Sequence, residues 1–435
     1  MIEVLIYVAV AALTLGVPVF YVLRERKKSR RAAGILKKAV ERGLDQPVSL
    51  HPYIDPDKCM GSGACVEACP ELDVLALVDG RGTLINPSRC IGHGMCQAAC
   101  PVDAITLVFG TEKRGVDIPH IKGTYETNVS GVYIAGELGG MGLIRNAVSQ
   151  GKQAAQNIAK SLVSEPKREL MDLIIVGAGP AGISAALQAK KDGLKFMLVD
   201  QEDLGGTVLT YPRRKLVMTA PMDLPIYGPV NAREIQKESL IEIFSDVMNR
   251  TGLVVHSNQR VTEVSRLEDR FKVVTTQAEY QTKRVLLAIG RRGTPRKLNV
   301  PGERCDKVAY RILEPEKFHD LKILVVGGGD SAVEATLALA EQPGNTVHLS
   351  YRGEGLFRIK EDNTTRIEKA INKGIVNPLF NSTVTRIEPE KVYLDQSGPE
   401  IVLPNDQIFV LIGGELPTEF LKKIGIEFSR KFGER

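Results

Sequence analysis

Apolar and polar positions along this chain fall into a repeated order of short strand, glycine-rich turn and helix. Leu173 to Val176 form an apolar run that passes directly into Gly177-Ala178-Gly179-Pro180-Ala181-Gly182; a small-residue stretch of helical period follows, and a second apolar run ends on Asp200. The order returns at Lys322 to Val326, which lead into Gly327-Gly328-Gly329-Asp330-Ser331-Ala332, with Val347 to Arg352 as the following strand. Arg284 to Gly290 and Ile408 to Gly413 read as further strands, and Met141 to Ala159 has the period of an amphipathic helix. Strands that alternate with helices predict an α/β architecture with parallel sheets.

The N-terminus follows another pattern. Residues 1 to 23 carry one charge, Glu3, and at helical rise would cross a hydrocarbon core about 30 Å thick. Arg24-Glu25-Arg26-Lys27-Lys28-Ser29-Arg30-Arg31 stands behind that run rather than in front of it. This arrangement predicts a single-pass anchor in the inner (cytoplasmic) membrane with the body on the cytoplasmic side; a buried core helix and a cleaved leader are the alternatives. Residues 32 to 57 read as a helical spacer and a Pro-containing linker.

Composition changes this picture in one respect. At 435 residues, 43% hydrophobic and 25% charged, the chain has material for two or three domains and excludes general disorder. Its net charge of +5 is concentrated: between Arg24 and Lys38 there are eight Lys or Arg against one acid, while the remainder is close to neutral. A nucleic-acid-binding body is therefore excluded, and the basic run suits anionic headgroups or a plain stop-transfer flank.

The two glycine turns point to dinucleotides. In the first, Gly177 permits the tight turn, Gly179 lets the backbone approach a pyrophosphate, Gly182 allows close helix packing, Pro180 and Ala181 open the helix, and Asp200 is placed to accept from a ribose. In the second, Gly327, Gly329, Asp330, Ser331 and Ala332 take the corresponding places. The strand after it ends without an acid. Ser350 and Arg352, with Arg358 and Lys360 nearby, suit a 2′-phosphate and so favour NADPH over NADH, although Arg358 and Lys360 read equally well as solvated loop charges.

Six of the seven cysteines form two copies of one pattern 31 residues apart: Cys59-x5-Cys65-x3-Cys69-Pro70 and Cys90-x5-Cys96-x3-Cys100-Pro101. On a cytoplasmic face, metal is a better explanation than disulfides. The stretch resembles the bacterial two-cluster ferredoxins. That resemblance implies Cys59, Cys65 and Cys100 around one iron–sulfur cluster and Cys90, Cys96 and Cys69 around another. Ser62 and His93 stand where the family has its second cysteine. A three-iron cluster, or a four-iron cluster completed by Ser62 or an outside ligand, is open for the first site; a four-iron cluster with His93 as ligand leads for the second. A zinc site remains as a minor alternative.

Thr127 to Glu137 (TNVSGVYIAGE) is similar to the second FAD motif of thioredoxin-reductase-like flavoproteins, with Glu137 where that family has Asp. The resemblance implies FAD contacts at Gly136, Glu137, Asn146 and Ala147, the last two in a helical turn whose dipole faces the flavin. In that family the motif ends the chain; here it precedes the first glycine turn, which implies a circular permutation. Gly205, Gly206 and Thr207 match the family's Gly-Gly-Thr segment, and Gly290 its crossing between the flavin and nicotinamide halves. The redox cysteines of either disulfide-reductase branch are missing: Val208, Leu209 and Thr210 stand in one place, and Cys305 is alone. The chain thus resembles two-dinucleotide-binding-domain flavoproteins, with ferredoxin–NADP reductases and bacillithiol-reductase-like proteins nearest.

The expected fold is α/β, with two Rossmann-like nucleotide-binding domains, a small α+β two-cluster ferredoxin-like domain and one N-terminal transmembrane helix. The expected order is an anchor over 1–23, a basic flank and linker over 24–54, the ferredoxin-like domain over 55–110, an early-placed FAD segment over 111–165, the FAD domain over 170–293, the NAD(P)H domain over 294–411 and a tail over 412–435. The implied activity is electron transfer among NAD(P)H, FAD, two [4Fe-4S] or [3Fe-4S] clusters and a redox partner protein or quinone, with a homodimer left open. Rival readings are a flavin reductase of a small disulfide with structural clusters, and a redox sensor or scaffold. No side chain is required as a catalytic acid or base.

Overall fold

A computed structural model describes residues 2–41, 44–47, 50–71, 73–113, 115–140, 142–163, 170–211, 216–218, 221–232, 234–291, 295–357, 359, 361–396, 398–414 and 417–433. The chain divides into two compact units, one of residues 1–116 with 430–435 and one of residues 117–429.

In the first unit, α1 (Ile2–Glu41) runs unbroken through the apolar and basic stretches, Pro18 included. Its C-terminal half is more than a spacer: Ala32 and Ala39 are buried, and Ser29 Oγ accepts the N–H of Asp79 at 3.0 Å. Strand β1 (His51–Ile54), the short helix α2 (Ala64–Glu67), the hairpin β2 (Leu75–Val78) with β3 (Arg81–Leu84), the short helix α3 (Met95–Ala98) and β4 (Ile105–Val108) follow. β1 pairs antiparallel with β4, and the small core between them consists of Val74, Leu75 and Ile105 together with Cys65, Cys90 and Cys96.

The expected anchor does not stand. Among the described residues no helix is long and apolar enough to cross a membrane. In α1 the apolar run gives way at Arg24 to a stretch rich in Lys and Arg. Beyond it the helix packs onto β2 inside its own unit. The transmembrane helix and the inner-membrane localisation are both corrected on this ground.

The next elements are β5 (Val116–Pro119), β6 (Val132–Ile134), α4 (Ile144–Leu162), β7 (Met171–Val176), α5 (Pro180–Lys191) and β8 (Phe196–Val199). Four short strands then make two hairpin pairs: β9 (Leu216–Met218) with β12 (Glu234–Gln236), and β10 (Met222–Leu224) with β11 (Gly228–Val230). After α6 (Lys237–Thr251) come β13 (Val261–Arg266), β14 (Phe271–Thr275) and β15 (Glu279–Leu287). β15 runs parallel to β7, with Leu287 opposite Val176, and β7 parallel to β8. On its other edge the start of β15 pairs antiparallel with β14 and its end parallel with β6. Leu173 and Ile175 belong to the apolar cluster on one face of this sheet, Ile174 and Val176 to that on the other. Burial on both faces is why these strands read as continuous apolar runs.

The following part of this unit repeats the scheme. β16 (Val308–Ala309), β17 (Lys322–Val326), α7 (Asp330–Ala340), β18 (Thr346–Tyr351), α8 (Glu361–Asn372) and β19 (Val376–Phe380) precede an antiparallel set of β20 (Thr383–Glu388), β21 (Lys391–Asp395) and β22 (Ile401–Pro404). β23 (Gln407–Val410) completes a parallel sheet in the order β16-β23-β17-β18-β19, and α9 (Thr418–Ile424) and β24 (Phe428–Lys431) end the chain's elements. Ile323 and Val325 face one apolar cluster, Leu324 and Val326 the other.

Candidate functional site

The first glycine turn lies at the C-terminal ends of β7 and β15. Gly177 has φ +110°, and a methyl group there would lie 2.5 Å from the carbonyl oxygen of Ala288; one on Gly182 would lie 1.7 Å from the carbonyl oxygen of Gly177. Both positions demand glycine for packing. Gly179 differs: its backbone is ordinary extended geometry with φ −78°, and the nearest atom to a methyl group there, the Gly205 carbonyl oxygen, is 4.0 Å away. The space in front of Gly179, at the N-terminus of α5, is open, as a pyrophosphate requires.

Other predicted residues converge on the same place. The Gly205 N–H donates to the Ala178 carbonyl at 2.9 Å, and Gly206, with φ +55°, lies against Gly179. The Thr207 hydroxyl is 3.7 Å from where a methyl group on Gly290 would stand. Gly136 has φ +86°, and a methyl group there would lie 3.0 Å from the Ala181 side chain and 3.8 Å from that of Ala147. Gly136, Ala147, Ala181, Gly179, Gly205–Thr207 and Gly290 are thus brought together around the first glycine turn. Glu137 follows directly in a short turn, and Asn146 sits half-buried in the first turn of α4.

Two residues behave otherwise than the pattern implies. Asp200 is buried; one carboxylate oxygen accepts the Ala178 N–H at 2.6 Å and the other the Glu202 N–H at 2.8 Å. Burial pushes its pKa up against the pull of these two amides. Its first task is to pin the glycine turn. Gln150 was not singled out by sequence, yet its buried side-chain oxygen accepts the Gly136 N–H at 2.8 Å. A polar residue on the buried face of α4 was the only signal. The helices themselves meet closely: a methyl group on Gly151 would lie 2.0 Å from the Ala181 carbonyl oxygen, and Ser184 donates to the Val148 carbonyl at 2.7 Å.

The second turn has the same division of labour. Gly327 has φ +150° and is packed against the Leu411 carbonyl, whereas Gly329, at the N-terminus of α7, has nothing within 4 Å of a methyl position. Ala332 is buried, Ser331 is exposed, and Asp330 accepts from Asn363 at 2.7 Å. The Tyr351 ring packs against Gly328. Ser350 is corrected as a nucleotide contact: it is fully buried and shares a 2.7 Å hydrogen bond with the Ser382 hydroxyl. Arg352 is exposed at the end of that strand, and Arg358 and Lys360 lie outside the described residues.

In the first unit the cysteines separate into two groups. Cys59, Cys65 and Cys100 line one cavity with Ser62, Gly82 and Ala104. Two backbone N–H groups point at its sulfurs: Gly82 to Cys59 at 3.4 Å and Ala104 to Cys100 at 3.3 Å. Cys69 lies close enough to Cys90 and Cys96 to raise both their thiols, and Cys65 does the same to Cys96. Burial pushes the thiols of Cys90 and Cys96 up to about 11 and raises those of Cys65 and Cys69 as well. His93 is almost covered, with Nε2 3.8 Å from the Glu71 carboxylate. Among the described residues no three such side chains converge tightly enough to hold a single metal ion; a cluster spreads its ligands over separate irons. The chemistry of the donor set, two thiol triads with amides aimed at sulfur, fits iron–sulfur clusters.

Residues 174–433 match the family model described as pyridine nucleotide-disulphide oxidoreductase. The chain belongs to that family. Residues 51–101 match a 4Fe-4S dicluster domain. The chain is 30% identical over 267 residues, 60% of its own length and 83% of the relative's, to a ferredoxin–NADP reductase of Ignicoccus hospitalis. It is 28% identical, over 60% of itself and 82% of the relative, to the bacilliredoxin reductase of Bacillus subtilis. Among solved structures it is similar to the bacillithiol disulfide reductase of Staphylococcus aureus, with a TM-score of 0.53 and 26% identity over 60% of this chain and 81% of that one. This member of the pyridine nucleotide-disulphide oxidoreductases is an enzyme of FAD and NAD(P)H oxidoreduction that also carries a 4Fe-4S domain.

Proposed function

We propose that this protein transfers electrons between NADPH, FAD, two iron–sulfur clusters and an external acceptor, a redox protein of the ferredoxin class or a quinone. The observation that carries the reading is a pairing of features. Two glycine turns present open N-termini at Gly179 and Gly329 within one unit, and in the other unit Cys59, Cys65 and Cys100 line one cavity while Cys90 and Cys96 are buried with Cys69 near them. The only further cysteine, Cys305, packs half-buried against the apolar cluster around Val392 and Leu394 and has no second thiol beside it in sequence. A thiol relay at the flavin is not available.

When bound, FAD accepts a hydride from the nicotinamide and releases electrons singly, a chemistry that belongs to the cofactor. The chain supplies position and field. Gly177–Gly182 and Gly205–Thr207 would hold the FAD pyrophosphate and ribityl side, with Glu137 as acceptor there. The first turn of α4, at Asn146 and Ala147, would direct its positive end toward the flavin. Gly327–Ala332 would take the NADPH pyrophosphate, and Arg352 the 2′-phosphate. Cys59, Cys65 and Cys100, and Cys69, Cys90, Cys96 with His93, would hold the clusters.

We also read residues 111–165 as the family's C-terminal FAD segment placed early. β6 closes the flavin sheet beside β15 although it precedes β7 in the chain, and the family match begins only at residue 174. The segment would tether the cluster unit directly to the flavin domain. The relatives named for bacillithiol or bacilliredoxin favour one second reading, reduction of a small disulfide at the flavin with structural clusters.

Anaerobic titration with NADPH, followed by visible absorbance and low-temperature EPR, separates them. Flavin bleaching together with conversion of the iron–sulfur signals is the expected result. Clusters that stay unchanged while the flavin bleaches, with small-disulfide turnover that survives Cys59→Ser and Cys90→Ser, would replace it by the second reading.

A further inference from the structure

The two thiol triads differ where a fourth thiolate would stand. Ser62 and His93 occupy equivalent places in the duplicated pattern, each three residues after its first cysteine. Ser62 is exposed and lines the cavity of Cys59, Cys65 and Cys100, with exposed Met60 close by. His93 is only 9% exposed at the side chain and is backed by Glu71. The first corner is open and the second is covered.

The loop around Ser62 is flanked by two glycines of positive φ, as the loop around His93 is by Gly92 and Gly94, so the corners differ in the side chain and its cover. Gly61 has φ +72°, and a methyl group there would lie 2.0 Å from the Gly80 carbonyl oxygen, so the loop is seated on the turn of the β2–β3 hairpin. Gly63, with φ +78°, puts no side chain over the cavity, and the nearest atom to a methyl position there is a Leu77 carbon at 3.7 Å. The Ser62 oxygen accepts the Ala64 N–H at 3.5 Å, and as a hard neutral oxygen it is a poorer ligand for iron than a thiolate.

We propose that the first cluster offers one coordination position to an external small thiol, which reaches the iron past Ser62, while the cluster beside His93 is closed to such ligands. This rests on the reading that the triads hold clusters. In the binding step an iron–sulfur bond forms and an iron–oxygen bond to water or hydroxide breaks. The thiol proton leaves with the released oxygen or to solvent, and no electron moves.

The test uses the full chain, reconstituted anaerobically with iron and sulfide, assayed for both, and titrated with 2-mercaptoethanol under EPR and Mössbauer observation. One of the two cluster signatures is expected to shift saturably. Ser62→Cys, which fills the corner, should abolish the shift; Ser62→Ala and His93→Cys should retain it. Two clusters with no response in the wild type, loss of response in Ser62→Ala, or a response that disappears in His93→Cys and persists in Ser62→Cys would each overturn the proposal. Protein that takes up neither iron nor sulfide would overturn the cluster reading itself and the proposal with it.

Discussion

The backbone N–H of Glu427 donates to the side-chain oxygen of Asn128 at 2.9 Å, joining residues 299 positions apart. The same side chain donates from its nitrogen to the Gly425 carbonyl at 2.9 Å, and the His120 N–H donates to the Glu427 carbonyl at 2.8 Å. The segment that leads into β6 is thus stitched to the chain that follows α9. Asn128→Ala removes two hydrogen bonds, and at about 0.5–1.5 kcal/mol each should cost about 1–3 kcal/mol. Denaturant melts of the flavin-loaded protein check this, and a variant as stable as the parent would show that the stitch carries no weight.

The glycines of the first turn should separate by phenotype. Gly182→Ala places a carbon 1.7 Å from the Gly177 carbonyl oxygen and is expected to disrupt the β7–α5 junction and the soluble yield. Gly179→Ala meets nothing closer than 4.0 Å and needs no unusual backbone, so it should fold as the parent does while losing FAD to a side chain standing where the pyrophosphate approaches. Gly329→Ala should keep its flavin and bind NADPH weakly. Flavin content by absorbance and folding by circular dichroism score all three. A yellow Gly179→Ala protein would place the dinucleotide elsewhere.

Most of this architecture is legible because the strands are buried on both faces. Leu173–Val176 and Ile323–Val326 appear as unbroken apolar runs, and the resemblance to two-cluster ferredoxins implies a grouping of the cysteines, of which Cys59, Cys65 and Cys100 line one cavity. What escapes the linear reading depends on partners far away in the chain. Ser350 looks like a nucleotide contact until Ser382, 32 residues on, takes its hydroxyl inside. Asp200 looks like a ribose acceptor, and it spends both oxygens first on the amides of Ala178 and Glu202. The C-terminal half of α1 hides its role because the buried Ala32 and Ala39 are spaced through a run of charges whose long side chains dominate the local pattern.

With Ser350 inside, the proposed 2′-phosphate contact rests on Arg352, exposed just past the end of β18. A charge-assisted contact to a 2′-phosphate is worth about 1.5–3 kcal/mol, so Arg352→Gln should lower kcat/KM for NADPH by about tenfold to a hundredfold and leave NADH nearly unaffected. Stopped-flow flavin reduction with each nucleotide reads the ratio. Equal losses with both would mean that the guanidinium steadies the loop rather than reading the phosphate.

The buried thiols make the metal-free chain sensitive to alkali. Burial pushes Cys90 and Cys96 up to about 11, against about 8.5 for a thiol in an unfolded chain. The folded state therefore holds protons that the unfolded state releases first. The stability this contributes is fully present below pH about 8.5 and is lost as pH rises toward about 11. Cluster binding reverses the sign, since iron takes the thiolate and expels the proton. Thermal melts of metal-free protein should accordingly fall across that window, and those of a Cys90→Ala, Cys96→Ala double variant should fall less, the difference isolating the thiols from lysines and tyrosines that titrate nearby. Parallel curves for parent and variant would mean that these sulfurs are hydrated in the metal-free fold.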